Sequence, residues 1–341
     1  MFTERERIHA ALDLQPMDRP AVTGFGIITV EAIMGTGINP ATMFQSGKDM
    51  ANLGKYVHDK LGFEDLNLFL IWTHLEAMGA TINYNVPIPY CQKSPLEFGG
   101  EYTMPDMDKY LKDPNVIRSL EGFKYARQLA GKDGAVTGVT SWGPLTTAGH
   151  LVGTENLMLN IAIEPEEVHR LLKFVAEYDA QAYKLEMEAG INDADVFGPG
   201  EPTASGDLVS PDMFAEFSLP YVQKEIKAIR STGTRVQLHI CGDTTEQLYL
   251  MAQSGANSLS VEEKVDPFEA MKRVQGKVAM VGSVGPIKPL MMGTEEEVVE
   301  ATKRYIDAGY RMIQPGCAIP PEVSSKNLIA MTSTVKNYKK N

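Results

Sequence analysis

The sequence predicts a closed (β/α)8 barrel of the α/β class, the TIM-barrel fold, as a single domain of residues 1–341. A short β-rich run, a turn and an amphipathic segment of helical period recur along the chain. Strands that alternate with helices indicate a parallel sheet, and eight of them favour closure into a barrel. No Ser/Gly linker, low-complexity tract or change in composition marks a domain boundary.

The barrel strands are expected where β-rich runs precede amphipathic segments. The N-terminal segment, about residues 1–20, is expected to be a helical extension of the barrel. Residues Gly79–Pro89 alternate as a hairpin does, so we expect an insertion near residues 79–100 that decorates the barrel. The eight predicted strands are Ala21–Gly26, Asp65–Ile71, Ala135–Thr140, Asp193–Gly198, Arg235–Ile240, Ser258–Glu262, Val278–Val284 and Arg311–Gln314.

Helix start signals are clear in the second half of the chain. A serine cap and a proline at residues 210–212 predict a helix that continues to about Ile229. The Asp-Pro pair at residues 266–267 predicts the next helix start, and Thr294 with Glu297 forms a capping box for a third. These starts matter because catalytic groups of such barrels lie on the loops after the strands.

The charge and composition exclude several classes of partner. The net charge is −12 and no cluster of Lys and Arg occurs, which argues against a nucleic-acid partner or an anionic membrane. No segment reaches the roughly 18 uninterrupted apolar residues that span a bilayer, and the charged N-terminus does not resemble a signal peptide. Three cysteines are too few for a disulfide framework. We therefore expect a cytoplasmic protein with free thiols.

The strand VQLHICGD, residues 236–243, carries the sharpest chemical motif. His239 and Cys241 are two residues apart, so both side chains project to the same side of an extended strand. Zinc prefers imidazole nitrogen and thiolate sulfur, and a catalytic zinc site has three protein ligands and one open position. The alternative is a cysteine that packs in the core and a histidine that bonds a backbone carbonyl.

Two further residues are expected at the same rim of the barrel. Cys317 follows the last predicted strand, on a turn that Pro315 and Gly316 impose. Glu262 ends the run SLSVE and can fill the fourth position of a zinc ion until substrate displaces it. A solvated pair of rim carboxylates is the competing interpretation of Glu262. Cys91, in a loop without a histidine nearby in sequence, is interpreted as structural or incidental.

Several segments together resemble a known family. The stretches LHICGDTTEQL, LSVEEKVDPFEAM, MVGSVGPIKPLMMGT and IQPGCAIPPEVSSKNLIAM resemble the methylcobamide:coenzyme M methyltransferases, which belong to the uroporphyrinogen decarboxylase superfamily of barrels. The resemblance covers most of the chain and is most specific over residues 236–330. It implies a zinc site whose ligands fall on His239, Cys241 and Cys317, with Glu262 completing the substrate-free site.

Two positions depart from the family's pattern. Glu201 replaces an expected aspartate, and Trp142 stands where smaller residues are usual. Both are expected on mouth loops, where they would contact the corrinoid or the acceptor. True uroporphyrinogen decarboxylases hold substrate carboxylates with N-terminal arginines. The corresponding stretch here, residues 21–37, has no arginine, which argues against porphyrinogen decarboxylation.

The resemblance implies zinc-dependent transfer of a methyl group from a methylated corrinoid, carried by a separate protein, to a small thiol such as coenzyme M. Glu262 is then a catalytic group that leaves the metal as the thiol arrives. Ser283 is a candidate for holding the anionic group of the acceptor.

Three alternatives stay open at the level of sequence. The same barrel can work on the donor side, demethylating methanol, a methylamine or an aryl methyl ether onto a corrinoid protein. Tetrahydrofolate can replace the thiol as acceptor. The zinc site can also be structural, in a barrel that only binds a corrinoid protein; a structural site would stay closed by a fourth protein ligand.

Overall fold

Eight parallel strands form the barrel in the computed structural model, which describes residues 2–86, 89–191 and 194–338. Each strand lies inside one of the eight predicted runs. Asp193, the first residue of the fourth run, falls outside the described residues. The barrel strands are β1 (Ala21–Val22), β2 (Asp65–Phe69), β5 (Ala135–Val139), β6 (Val196–Phe197), β7 (Arg235–Ile240), β8 (Ser258–Val261), β9 (Ala279–Val281) and β10 (Met312–Ile313); β3 (Thr81–Asn83) and β4 (Tyr90–Lys93) pair outside the barrel.

The order of hydrogen-bonded neighbours is β1-β10-β9-β8-β7-β6-β5-β2, and every pair is parallel. The predicted (β/α)8 fold is therefore confirmed. The described helices are α1 (Glu4–Leu12), α2 (Val30–Thr36), α3 (Gly47–Tyr56), α4 (Thr73–Ala77), α5 (Met107–Tyr110), α6 (Pro114–Ala130), α7 (Pro144–Val152), α8 (Thr154–Ile163), α9 (Pro165–Glu188), α10 (Pro211–Phe217), α11 (Leu219–Arg230), α12 (Leu248–Met251), α13 (Pro267–Val274), α14 (Glu295–Ala308) and α15 (Ser325–Lys336).

The seam between β1 and β2 closes the barrel with little backbone pairing. One backbone hydrogen bond joins them, from the Glu64 N–H to the Val22 carbonyl (2.9 Å). Side chains of β2 accept two further backbone N–H groups from the segment after β1: that of Gly24 at Asp65 Oδ1 (2.8 Å) and that of Gly26 at Asn67 Oδ1 (3.2 Å). Side-chain acceptors therefore hold β1 and β2 together, whereas backbone hydrogen bonds hold the other pairs of neighbouring strands.

The N-terminal helix α1 covers the end of the barrel opposite the mouth. Its residues Ile8, Ala11 and Leu12 pack with strand residues such as Ala21 and Met312 in a small buried cluster. The mouth is thus left as the accessible end. None of the helices in the described part of the chain combines the length and apolar composition that crossing a bilayer requires.

One predicted helix is wrong. The run after residues 210–212 was expected to continue unbroken to about Ile229, but α10 ends at Phe217 and α11 begins at Leu219. Pro220 is the physical reason, because it has no N–H to donate to the carbonyl four residues earlier. The other two start signals hold, since Asp266 caps α13 and the capping box of Thr294 with Glu297 starts α14.

The hairpin of β3 and β4 lies within the expected insertion near residues 79–100, and the expected alternating run at Gly79–Pro89 supplies its first strand. Residues 87 and 88 of that run lie outside the described residues. The hairpin matters for function because Pro89 lines the cavity at the barrel mouth.

A fully buried polar cluster lies between α4, α9 and α11. His74 Nδ1 is 2.6 Å from Asp179 Oδ1, and His74 Nε2 is 3.3 Å from Glu186 Oε2. The Thr140 hydroxyl donates to Glu186 at 2.8 Å. Burial and the neighbouring Asp179 raise the pKa of Glu225 well above its usual value. His74 is therefore the imidazole that contacts two carboxyl groups of α9 in this cluster.

Candidate metal centre and substrate cavity

The carboxyl end of β7 positions the first two candidate ligands. His239 Nε2 and Cys241 Sγ are 3.1 Å apart, as the two-residue spacing on a strand predicts. Just after Cys241, Gly242 has a φ of 77°, in the left-handed region that favours glycine. A Cβ there would come within 2.2 Å of Ser205 Oγ. Gly242 therefore lets the chain turn away directly behind the thiol.

The loop after β10 brings Cys317 to the same point. Pro315 forms a parallel bridge with Val284, and the Gly316 N–H donates to the Val284 carbonyl at 2.9 Å. Cys317 Sγ then lies 3.5 Å from Cys241 Sγ, too far for a disulfide. The ligand atoms of His239, Cys241 and Cys317 all lie within 4.8 Å of one another. These three residues span 78 positions of the sequence. Among the residues that the structure describes, they form a group that could hold a metal ion.

The two thiols are hydrogen-bonded to each other. The hydrogen bond from the Cys241 S–H lowers the pKa of Cys317 to about 4 against the effect of burial. The same hydrogen bond, burial and the neighbouring Glu262 carboxylate raise the pKa of Cys241. The hydrogen bond between the two thiols therefore favours the thiolate form of Cys317 over that of Cys241. Glu262 follows β8 directly and is half-buried beside Cys241, outside the compact group of three.

Polar side chains inside the barrel hold the other nitrogen of His239. His239 Nδ1 is 2.9 Å from Ser260 Oγ, and His239 pairs with Ser260 in the register of β7 and β8. The Gln314 amide also donates to Ser260 Oγ, at 2.6 Å, and Thr23 donates to Gln314. Since Ser260 Oγ already accepts from Gln314, its second lone pair suits an Nδ1–H donor. That tautomer leaves Nε2 free to bind a metal.

An apolar cavity of ≈ 280 Å³ opens at the mouth beside the three ligands. It is lined by Phe25, Gly26, Ile28, Phe44, Phe69, Ile71, Trp72, Pro89, Trp142, Gly200, Pro202, His239, Cys241, Cys317, Ala318, Ile319 and Pro321. The Phe25 ring packs on the His239 imidazole with centroids 4.5 Å apart. The cavity therefore leads directly to the candidate metal centre.

Trp142 lies in this cavity, where the sequence predicted a mouth residue. It forms a parallel bridge with Gly200, which in turn bridges to His239, so the ends of β5, β6 and β7 meet here. Its ring packs against Trp72 at 5.4 Å and against His150 at 5.7 Å between centroids. Burial lowers the pKa of His150 to about 4, so that imidazole is neutral at pH 7.

Glu201 lies behind the cavity wall, where it is fully buried. Its carboxylate accepts the backbone N–H groups of Leu145 (2.9 Å) and Thr146 (3.1 Å) at the start of α7, and the Ser218 hydroxyl (3.3 Å). Burial raises the pKa of Glu201 to about 7 in spite of these bonds. Its visible role is to cap α7, and the extra methylene relative to aspartate lengthens its reach.

The remaining candidates lie away from the cavity. Ser283 is fully buried and its hydroxyl donates to the Val261 carbonyl, so it is not presented to a ligand. Cys91 lies on β4 with its thiol near the His150 carbonyl, 3.7 Å away. His74 is enclosed in the buried polar cluster.

Sequence reasoning missed the cavity walls and the residues behind His239. From the sequence, the wall residues cannot be told from ordinary core residues such as those of the barrel interior. An apolar side chain can equally line a cavity or pack in the core, as with Phe25, Phe69 and Ile319. Ser260 and Gln314 did carry a usable signal. Each is a polar residue inside a short buried strand run, where a side chain needs a hydrogen-bond partner.

The structure is a (β/α)8 barrel with a histidine–cysteine–cysteine group at its mouth. Comparison with known proteins identifies the family of the chain. The chain belongs to the uroporphyrinogen decarboxylase (URO-D) family, whose sequence profile matches residues 3–338. The resemblance to methylcobamide:coenzyme M methyltransferases is confirmed as well. The chain is 31% identical over 344 residues to the methylcobamide:CoM methyltransferase of Methanosarcina acetivorans, covering 99% of each.

Two further relatives agree. The methylcobamide:CoM methyltransferase of Methanosarcina barkeri is 30% identical over 347 residues, covering 99% of this chain and 98% of the relative. The solved structure of a methyltransferase from Methanosarcina mazei superposes with a TM-score of 0.90 at 27% identity, covering 98% of this chain and 99% of that one. The shared fold therefore extends over nearly the whole chain.

Proposed function

We propose that this protein is a zinc-dependent methyltransferase that moves a methyl group from a methylated corrinoid to a small thiol. The observation that carries the proposal is the convergence of His239, Cys241 and Cys317 within 4.8 Å at the wall of a cavity, in a chain related to corrinoid-dependent methyltransferases. Three candidate ligands beside an open cavity leave a position for substrate, as a catalytic zinc site requires.

The donor set supports zinc as the metal. One imidazole nitrogen and two thiolate sulfurs are ligands that zinc prefers, and three protein ligands leave a position for substrate, as in catalytic sites. We propose that Glu262, beside Cys241, fills that position in the absence of substrate. Cysteine binds a metal as the thiolate, so binding would release the proton that lies between Cys241 and Cys317.

The chain's own residues then set up the reaction. When bound, zinc supplies the positive charge that lowers the pKa of an incoming thiol, so that it reacts as a thiolate at neutral pH. Two cysteine thiolates and a neutral His239 already match the charge of a divalent cation, so the substrate sulfur keeps its nucleophilicity. Ser260 holds the His239 ring in position. Phe25 and Trp142 exclude water and orient the substituent of the thiol.

The chemical step is a displacement at carbon. The thiolate sulfur attacks the methyl group in line, the new S–CH3 bond forms, and the Co–CH3 bond breaks with both electrons left on cobalt as Co(I). The corrinoid is a substrate on a separate carrier protein, which must approach the open mouth. We place the enzyme in the cytoplasm, where free thiols persist.

The proposal is tested with the purified protein and free methylcobalamin. We expect the protein to bind about one zinc per chain and to convert methylcobalamin to cob(I)alamin under anoxic conditions when thiols are added. Removing the metal with a chelator should abolish transfer, and zinc should restore it. A zinc-loaded protein that demethylates methylcobalamin no faster than the thiol alone, with any thiol tried, would contradict the proposal.

Substituting Ser260 by alanine should weaken zinc binding about 10- to 100-fold, because a hydrogen-bonded partner orients a metal-binding imidazole. Competition with a chromogenic chelator measures this affinity without any assay of transfer. Ser258→Ala is the matched control, since Ser258 lies on the same strand and its buried hydroxyl makes no hydrogen bond within the described residues. Equal zinc affinities in the two variants would show that Ser260 does not position His239.

A further inference from the structure

One segment of the barrel mouth carries almost no charge. Charged residues make up 22% of the chain, but residues 20–47 contain a single one, Glu31. Within this stretch, residues 28–44, which we call the lip, run from Ile28 through α2 to Phe44, and the residues at both ends line the cavity. The lip therefore continues the cavity wall onto the rim of the barrel.

The lip is exposed although it is uncharged. Met34 is 76% exposed and Val30 is 46% exposed, and their spacing of four residues places them on the same face of α2. Glu31 lies in the first turn of α2, where the helix dipole stabilises a carboxylate. Exposed apolar patches of this kind mark interaction sites. The exposed residues that follow α2 are also uncharged, namely Gly37, Asn39, Pro40, Ala41 and Thr42.

The inner side of the lip is held by its neighbours. Thr29 caps α2, because its hydroxyl accepts the Ala32 N–H at 3.1 Å. The Val30 N–H donates to the Pro321 carbonyl at 2.8 Å, and Pro321 itself lines the cavity. These bonds join the loops after β1 and β10 at the mouth. They leave the exposed face of α2 available to a partner.

The side of the mouth across from the lip is charged. In the closed order of the barrel strands, β7 stands four places from β1 in either direction. The loops after β6, β7 and β8 carry Asp207, Asp243 and Lys264. Lys264 Nζ is 2.8 Å from Asp207 Oδ2, which also accepts the Asp243 N–H at 3.3 Å. The mouth therefore has an uncharged side at the lip and a charged side opposite.

The methyl donor of the proposed reaction is too large to enter the cavity. The cavity volume is ≈ 280 Å³, less than twice the about 150 Å³ that accommodates one benzene molecule. A corrin has four five-membered rings around its cobalt, with methyl groups and uncharged amide side chains at its edge. Its methyl ligand must still reach a thiol at the metal centre. The macrocycle must therefore lie across the mouth and rest on the rim.

We infer that the lip is the surface on which the corrin macrocycle of the methyl donor rests. The inference rests on the proposed function and deepens it by naming the surface that receives the donor. In this arrangement Val30 and Met34 contact the apolar parts of the macrocycle, and Asn39 and Thr42 pair with the amides at its edge. The uncharged side of the mouth suits the corrin because a charged side chain beneath it would lose hydration without gaining a partner.

Two substitutions of Met34 test the inference, because glutamate and glutamine have nearly the same shape and differ in charge. The two tryptophans of the chain, Trp72 and Trp142, both line the cavity. A corrin over the mouth quenches their fluorescence, since its absorption overlaps the emission of indole. Titration of the purified protein with methylcobalamin, without thiol, therefore measures a Kd. We expect Met34→Glu to raise this Kd about 10-fold over Met34→Gln.

The same pair of substitutions at Leu159 is the matched control. Leu159 is 60% exposed on α8, and no residue of this fully described helix lines the cavity. We expect Leu159→Glu and Leu159→Gln to bind methylcobalamin equally. Equal Kd values for the two Met34 variants would overturn the inference, and so would a difference at Leu159 as large as the difference at Met34.

Steady-state kinetics distinguish a surface that binds the corrin from a general disturbance of the site. A contact that is equally strong in the ground state and the transition state changes KM alone. We therefore expect Met34→Glu to raise the KM for methylcobalamin about 10-fold over Met34→Gln, with kcat and the KM for 2-mercaptoethanol the same in both variants. A lower kcat with an unchanged KM for methylcobalamin would contradict the inference.

A second copy of this chain is the other partner that the lip could bind. If the wild type self-associates in sedimentation velocity, and Met34→Glu prevents this without changing the Kd for methylcobalamin, the lip is an interface between copies and the inference is wrong. The expected difference in Kd without any methyl transfer would contradict the proposed function alone. Methyl transfer with equal Kd values would contradict the inference alone.

Discussion

Replacing Cys241 by alanine is expected to abolish stoichiometric zinc binding and to lower methyl transfer from methylcobalamin by more than about 100-fold. The variant keeps His239 and Cys317, but two ligands from distant segments no longer fix a metal in one geometry. Loss of the Cys241 S–H also removes the hydrogen bond that lowers the pKa of Cys317. Zinc content after dialysis and the rate of cob(I)alamin formation measure the two effects separately.

The matched control is Cys91→Ala. Cys91 is the third free cysteine of the chain and lies on the hairpin, away from the three candidate ligands. We expect this variant to retain its zinc and its rate of transfer. Full zinc content and full activity in the Cys241 variant would exclude Cys241 as a ligand and, with it, the proposed centre.

Replacing His74 by alanine is expected to destabilise the fold by about 3–5 kcal/mol, because it leaves buried carboxylates without their cation. Burial opposes the charged imidazole, but Glu186 and Asp179 together outweigh it and raise the pKa of His74 from 6.5 to about 9. A group whose pKa rises on folding stabilises the fold fully below its unfolded pKa. The stabilising effect of His74 should therefore be complete below about pH 6.5 and decline as the pH rises through about 9.

Urea denaturation of the wild type and the variant, at about pH 6 and about pH 9.5, measures this dependence. His169→Ala is the control, because His169 is partly exposed and bonds Tyr221 and Glu216 near the surface. Its loss should cost less than about 1 kcal/mol. A His74 variant as stable as the His169 variant at both pH values would show that the buried cluster does not need the cation.

The sequence contains most of what determines the barrel and its metal-binding group. Strand runs such as Arg235–Ile240 are short, alternate polar with apolar residues and are bounded by turn residues, so periodicity locates them. The spacing of His239 and Cys241 indicates their common side without any tertiary information. The helix break at Ser218 was not predicted, because the amphipathic periodicity continues across Pro220. The prediction gave that periodicity more weight than the N–H group that proline lacks.

The cavity is harder to predict from sequence than the ligands beside it. Its walls come from loops after different strands, and whether Phe25 or Ile28 faces a space or a neighbour depends on how those loops pack. Glu201 illustrates the same limit. A polar residue on a mouth loop suggests contact with a ligand, whereas the structure turns its carboxylate onto the start of α7. Only the packing reveals that it caps α7.

The sparse pairing at the barrel seam has a dynamic consequence. Phe25, which covers His239 and walls the cavity, lies on the segment that follows β1, and this segment is tethered to β2 by few hydrogen bonds. β7 and β8, by contrast, share four registered pairs under the ligands. We therefore expect local opening to begin at the seam. We expect the segment that carries Phe25 to move and admit substrate, while His239 and Cys241 at the end of β7 stay in place.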